Sequence, residues 1–145
     1  MGTWGSGLFA SDSAQDFLDG LLDDAMAARL DRIRSVLETT AGDPAVIMRE
    51  YVPEEIVVAA AITAATLARE PRPRWMGDEP LRSITSEMPP QNSLARPAGI
   101  ALQAAMDYND SWLVASMKDE GDRQSLSRDL LELKAILDNN ASLGN

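Results

Sequence analysis

The chain contains no cysteine and no histidine. That excludes disulfides, thiol chemistry, thiolate or imidazole metal sites, and every acid–base scheme that runs through an imidazole. Aromatic residues are scarce, at 5%, so alanine, leucine, valine and isoleucine have to fill the core. That composition favours closely packed helices over a sheet. Long apolar runs are missing as well. The longest uncharged stretch, Ile56 to Ala68, has 13 residues, too short to span a bilayer. The chain does not open on a basic segment followed by an apolar run, so no signal peptide is read and a cytoplasmic location is expected.

Positive charge is also in short supply. Against 23 acidic residues stand 13 basic ones, a formal net charge of −10. A nucleic-acid binder needs the opposite balance, and an acidic membrane surface repels such a chain. A basic protein, by contrast, is attracted to it, and faster at low salt. What remains is ordinary: 145 residues, 45% hydrophobic and 25% charged. This fits one domain that buries about 68% of its unfolded surface.

The first 22 residues are the most distinctive. A glycine-rich lead-in over residues 1–11, with Gly2, Gly5 and Gly7 beside Trp4 and Phe9, reads as a loop pinned by its aromatics. Met1-Gly2 with Ser6 fits the myristoylation pattern, yet nothing basic follows to supply a second membrane signal. Asp12 is a candidate N-cap with Gln15 three residues on. Ala14, Phe17, Leu18, Leu21 and Leu22 then recur at helical spacing. Asp12, Asp16, Asp19 and Asp23 fall within about 60° on the opposite face. This carboxylate stripe is a solvated helix face on the plain reading and a docking strip for a basic partner on the sharper one. Its helical spacing argues against a calcium loop.

The apolar pattern continues through Met26, Leu30, Ile33, Val36 and Leu37, with a break or kink expected near residues 20–24, at Gly20 and the Asp23–Asp24 pair. Gly42 reads as a left-handed C-terminal stop. Pro53 suits a first helical position, with Glu54 and Glu55 in the first turn. The helix that follows is apolar or small all round, so it is expected to be central and buried. Residues 70–97 hold six of the eight prolines and read as a long connection with a short helical turn through Leu81 and Ile84. Arg69, Arg72, Arg74 and Arg82 gather there around Trp75. They read as internal pairing with a loop-anchoring tryptophan, or, with Arg72, Arg74 and Trp75 as a clamp, as an anion-binding edge. A helix is expected from Ser93 or Arg96 to Asp107, then a short one around Leu113, Val114 and Met117 that Gly121 ends. A last one is capped by Asp122 and striped by Leu126, Leu130, Leu133 and Leu137. Asn139–Asn140 are expected to stop it, leaving 139–145 as a frayed tail. The fold expected is all-α: one compact domain of about five to six helices with a long proline-rich connection.

The opening Met1-Gly-Thr-Trp-Gly-Ser-Gly-Leu-Phe-Ala-Ser-Asp-Ser-Ala-Gln-Asp-Phe-Leu18 resembles the start of a bacterial family, the domain of unknown function 4259 (DUF4259). The alanine-rich middle helix and the aspartate–serine junction at Ser111 are similar to that family too. The chain departs from it at Trp112, where an acidic residue is more usual, and at Met117, where an aromatic is. The resemblance implies a small helical protein and carries no reaction with it.

Three functional classes follow from the residues. The first is a non-catalytic interaction module, of the immunity or antitoxin type, that neutralises a basic partner through Asp12, Asp16, Asp19 and Asp23. The second is a small-anion-binding module built on Arg72, Arg74 and Trp75. The third is a carboxylate- or magnesium-dependent enzyme, disfavoured because the aspartates are expected to face outward. No catalytic residue, metal site or cofactor is assigned, and no nucleic acid or membrane is expected as a partner.

Overall fold

A helix with no polar face has to be wrapped on all sides, and the chain is arranged around one. The computed structural model describes residues 12–68, 74–77, 79–108 and 120–143. Among these, six α-helices follow in order: α1 Asp12–Asp23, α2 Met26–Gly42, α3 Pro53–Leu67, α4 Glu79–Thr85, α5 Ala95–Asp107 and α6 Glu120–Leu143. Short 3-10 turns cover Pro44–Val46, Arg74–Gly77 and Asn92–Leu94. The result is an all-α bundle. No strand occurs among the described residues beyond an isolated bridge between Ile47 and Tyr51. None of the described helices is long and apolar enough to cross a membrane.

Helix α3 is the central one, with Pro53 at its first position and every residue from Ile56 to Ala65 buried. Glu55 folds back at its start, where its Oε1 accepts a hydrogen bond from the Val52 N–H at 3.0 Å. Helices α1, α2, α4, α5 and α6 all pack on α3. Its alanines allow those close approaches, while Ile56, Val58 and Ile62 fill the gaps with no exposure. Thr66 ties the end of α3 to the proline-rich connection: its Oγ1 accepts from the Gln91 N–H at 3.0 Å and donates to the Thr63 carbonyl at 2.7 Å. That connection contains helix α4, whose Leu81 and Ile84 are buried as the apolar pattern predicts.

The long amphipathic pattern at the start is two helices. Gly20 stays helical, and the break comes at Asp24–Ala25, with Ala25 extended at φ −65°, ψ 160°. One side chain holds the corner. The half-buried Arg29 donates from Nε to the Leu21 carbonyl (2.9 Å), from Nη2 to the Asp24 carbonyl (3.2 Å) and from Nη1 to the Ile84 carbonyl of α4 (3.0 Å). A single guanidinium thus satisfies carbonyls at the C-terminal ends of α1 and α4, where a cation also suits the helix dipole. The neighbouring Arg32–Asp24 pair, at 3.0 Å, lies nearer the surface.

Three expected boundaries are corrected. Gly42 is not a left-handed stop but the last residue of α2. The turn is made by Asp43, extended at φ −151° as a residue before proline prefers, with its Oδ1 accepting from the Ala45 N–H at 3.2 Å. Left-handed backbone falls instead on Met48, at φ 70°. Gly121 and Asp122 do not separate two elements, because both lie in the first turn of α6. There an acidic residue suits the positive helix end. The glycine costs about 1 kcal/mol, less than the roughly 2 kcal/mol each of Leu126, Leu130, Leu133 and Leu137 contributes on burial. Asn139–Asn140 do not stop α6, which runs to Leu143; Asn140 Nδ2 donates to the Ile136 carbonyl at 2.8 Å. The aromatic loop at 1–11 and the expected short helix at 113–117, with Trp112 and Met117, lie outside the described residues.

Two stability outcomes follow. Arg29→Met removes three charge-assisted hydrogen bonds and is expected to cost about 2–3 kcal/mol in urea unfolding, whereas Arg32→Met costs less than about 1 kcal/mol. Thr40 is fully buried on α2, and its Oγ1 makes no hydrogen bond among the described residues. Thr40→Val keeps the shape and removes an unpaired hydroxyl, so it is expected to raise stability by about 1 kcal/mol.

Candidate functional sites

On α1 the sequence pattern translates into surface with one exception: Leu22, expected on the apolar side, is 40% exposed. Ala14, Phe17, Leu18 and Leu21 are buried, and the helix turns Asp16, Asp19 and Asp23 outward, all exposed. Asp12 opens the helix, but its side chain and the residue before it lie outside the described residues, and with them the expected cap. Asp16, Asp19 and Asp23 make no ion pair among the described residues. Their carboxylates span about two helical turns, roughly 10 Å along the axis. Such a ridge attracts cations in water without burying any charge, so it carries no desolvation cost of its own. No group of three or more acidic side chains close enough to hold a metal ion occurs among the described residues.

The arginine–tryptophan cluster is only partly described. Arg72 lies outside the described residues, and Arg74 opens the turn Arg74–Gly77 with its side chain undescribed. Trp75 is 2% exposed and sits in the core with Met76. Its ring is therefore committed to packing and offers no face for a ligand to stack on. Of the three residues of the expected clamp, Trp75 alone has a described side chain.

A third surface had no counterpart in the sequence reading. Helices α5 and α6 and the corner at Pro44–Ile47 enclose an open groove of about 750 Å³. Arg96, Ile100, Gln103 and Asp107 face it from α5, and Lys134 and Asp138 from α6. Gly99 lies where the two helices meet: a Cβ there would stand 3.3 Å from Asp138 Oδ1 and 3.9 Å from Leu137 Cβ. Lys134 Nζ donates to both oxygens of Asp138, at 2.9 and 3.1 Å. Gln103 Nε2 donates to Asp107 Oδ1 at 2.9 Å. Ile100 stands 47% exposed among these polar groups. Three segments far apart in sequence form the groove. Its one signal in sequence is an isoleucine on the solvent side of an otherwise polar stripe.

The family model described as "Domain of unknown function (DUF4259)" matches residues 2–129. No curated protein and no solved structure matches the chain.

One titration is perturbed away from these surfaces. Burial of Glu54 in the first turn of α3 raises its carboxyl above the ordinary value of 4.5, and the neighbouring Glu55 charge adds to this, against a lowering hydrogen bond from its own backbone. A carboxyl whose folded value is raised holds its proton more tightly in the native state. Its contribution to stability is therefore complete below about pH 4.5 and is lost as the pH rises through the higher folded value. Glu54→Gln removes that loss. The melting temperature of the variant relative to the parent is expected to increase as pH rises from 4 towards neutrality; a flat or falling difference contradicts the assignment.

Proposed function

The chain belongs to the DUF4259 family, and we propose that it is a non-catalytic protein-interaction module that docks a basic protein on the acidic face of α1. The observation that carries this reading is the row of Asp16, Asp19 and Asp23, exposed and without a paired cation among the described residues. Asp24, Asp43 and Asp138 each pair with an arginine or lysine. Asp31, Glu38 and Glu132 make no ion pair among the described residues either, so what distinguishes the α1 row is three carboxylates aligned on one face. A surface helix gains little from three like charges on one side, so leaving them uncompensated fits a face whose cations come from elsewhere. The net charge of −10 supports it by steering a basic partner at long range. The absence of histidine and cysteine narrows the catalytic alternatives. A basic effector neutralised in the cytoplasm, in the manner of immunity proteins and antitoxins, is the partner of this reading.

The test compares the parent protein with a triple variant, Asp16→Asn, Asp19→Asn and Asp23→Asn, as baits for proteins of its own cytosol at low and high salt. All three side chains are exposed, so the variant is expected to unfold at an unchanged denaturant midpoint. A specific basic protein should be retained by the parent at low salt and released at high salt. Its affinity for the triple variant should be about ten-fold lower or worse. Recovery of no specific partner, or equal capture by both baits, would sink the proposal.

A further inference from the structure

Helix α5 breaks a local rule at both ends. Arg96 stands in its first turn and Asp107 is its last residue. The positive end of a helix disfavours a cation and the negative end an anion, and little among the described residues offsets either placement. Among those residues Arg96 makes no ion pair or hydrogen bond, and Asp107 is met by the neutral amide of Gln103 on Oδ1 and by no cation. Both side chains are exposed.

These two charges belong to one stripe. Arg96, Ile100, Gln103 and Asp107 follow at intervals of four, three and four, so they fall within about 60° of one another. Ala98, Ala101, Leu102 and Ala105, on the opposite side, are buried. The order of the stripe reads cation, apolar, neutral polar, anion. Reversed and laid against itself, it places Arg96 opposite Asp107 at both ends and Ile100 opposite Gln103 twice in the middle. The stripe is self-complementary in spacing and in charge.

We propose that the exposed face of α5 is the contact surface for a second copy of this chain, paired antiparallel about a two-fold axis that passes between Ile100 and Gln103. Such an isologous contact uses the same patch on both subunits, as most homodimers do. Each Arg96 then meets the partner subunit's Asp107 and, behind it, the negative C-terminal end of the partner helix. Each Asp107 meets the positive N-terminal end in the same way. Both unfavourable placements within one chain become favourable between two. The two Ile100 side chains, 47% exposed in the single chain, lose water at the centre. The helix is about 20 Å long, and its stripe lines the open groove flanked by α6 and the corner at Pro44–Ile47. A parallel pairing gains nothing from this stripe, since it sets Arg96 against Arg96 and Asp107 against Asp107.

Sedimentation equilibrium of the full chain across the micromolar range tests the pairing by charge reversal. The parent is expected to sediment as a monomer–dimer equilibrium that reaches dimer at the upper end. Arg96→Asp and Asp107→Arg, made singly, each set like charges opposite one another at both ends. Each should weaken the dimer about ten-fold or more. The double variant, Arg96→Asp with Asp107→Arg, restores the complementarity and should recover most of the affinity lost in either single variant. Ile100→Lys should be monomeric throughout, with Leu22→Lys, an exposed leucine on α1, dimerising like the parent. A parent that stays monomeric, single variants that dimerise as well as the parent, or a double variant no better than the singles would each overturn the proposal. Far-UV circular dichroism on every variant separates loss of pairing from loss of fold, and all the substituted side chains are exposed.

Discussion

The constraint that orders this molecule is the lack of any polar face on α3. A helix that is apolar on one side needs one neighbour, but a helix that is apolar all round needs a full ring of them. From Ile56 to Ala65 every side chain is buried, and five other helices supply the cover. Each covering helix has to bring an apolar stripe of its own, so the amphipathic patterns of α1, α5 and α6 answer the same requirement. Alanine at 59, 60, 61, 64 and 65 lets the neighbours approach closely, which is how a chain with 5% aromatic residues reaches a filled interior. Trp75 is the large exception, and it too is spent inside.

Wrapping one helix with a single chain needs sharp corners, and corners leave backbone groups without partners. Two devices meet this need. Arg29 collects carbonyls of Leu21, Asp24 and Ile84 on one guanidinium, so it fixes the angle between α1 and α2 and seats α4 against them. Thr66 does a smaller version of the same work by receiving the Gln91 N–H. Both are polar side chains whose partners are backbone atoms. This is the usual destination of side-chain hydrogen bonds, and it ties Ile84 and Gln91, both in the proline-rich stretch after α3, back to the bundle.

That also marks where the sequence could be read and where it could not. Apolar periodicity depends only on the residues of one helix, so the buried faces of α1 and α5 and the leucine stripe of α6 were legible. The buried centre was legible too, from the absence of charge over Ile56–Ala68. Boundaries were less so, because they turn on local competition: Asp43, already extended before Pro44, makes the turn expected of Gly42, and Asn140 bonds back to Ile136 instead of ending its helix. The role of Arg29 had no sequence signature at all, since its acceptors are carbonyls, which every residue carries. The groove lined by α5 left only Ile100 as a trace, being assembled from segments up to some 90 residues apart. For the acidic stripe, the sequence supplied the angle and the structure supplied the exposure of Asp16, Asp19 and Asp23.

The two polar stripes show why charge pattern carries more than net charge. Those of α1 and α5 have the same four-three-four spacing in sequence, and both helices pack on α3 with Asp16, Asp19 and Asp23 on one and Arg96, Ile100, Gln103 and Asp107 on the other exposed. One carries a single sign, so a second copy of it is repelled and only a different, basic molecule is drawn in. The other carries opposite signs at its two ends, so its best complement is its own reverse. A chain with a net charge of −10 resists self-association at long range, but at physiological salt charges beyond about 8 Å are largely screened. What acts at contact is then the local arrangement. The two stripes lie on different helices, and the proposed pairing through α5 would bring two α1 faces into one assembly. A basic partner able to reach both gains from effective concentration with no new contact on either face.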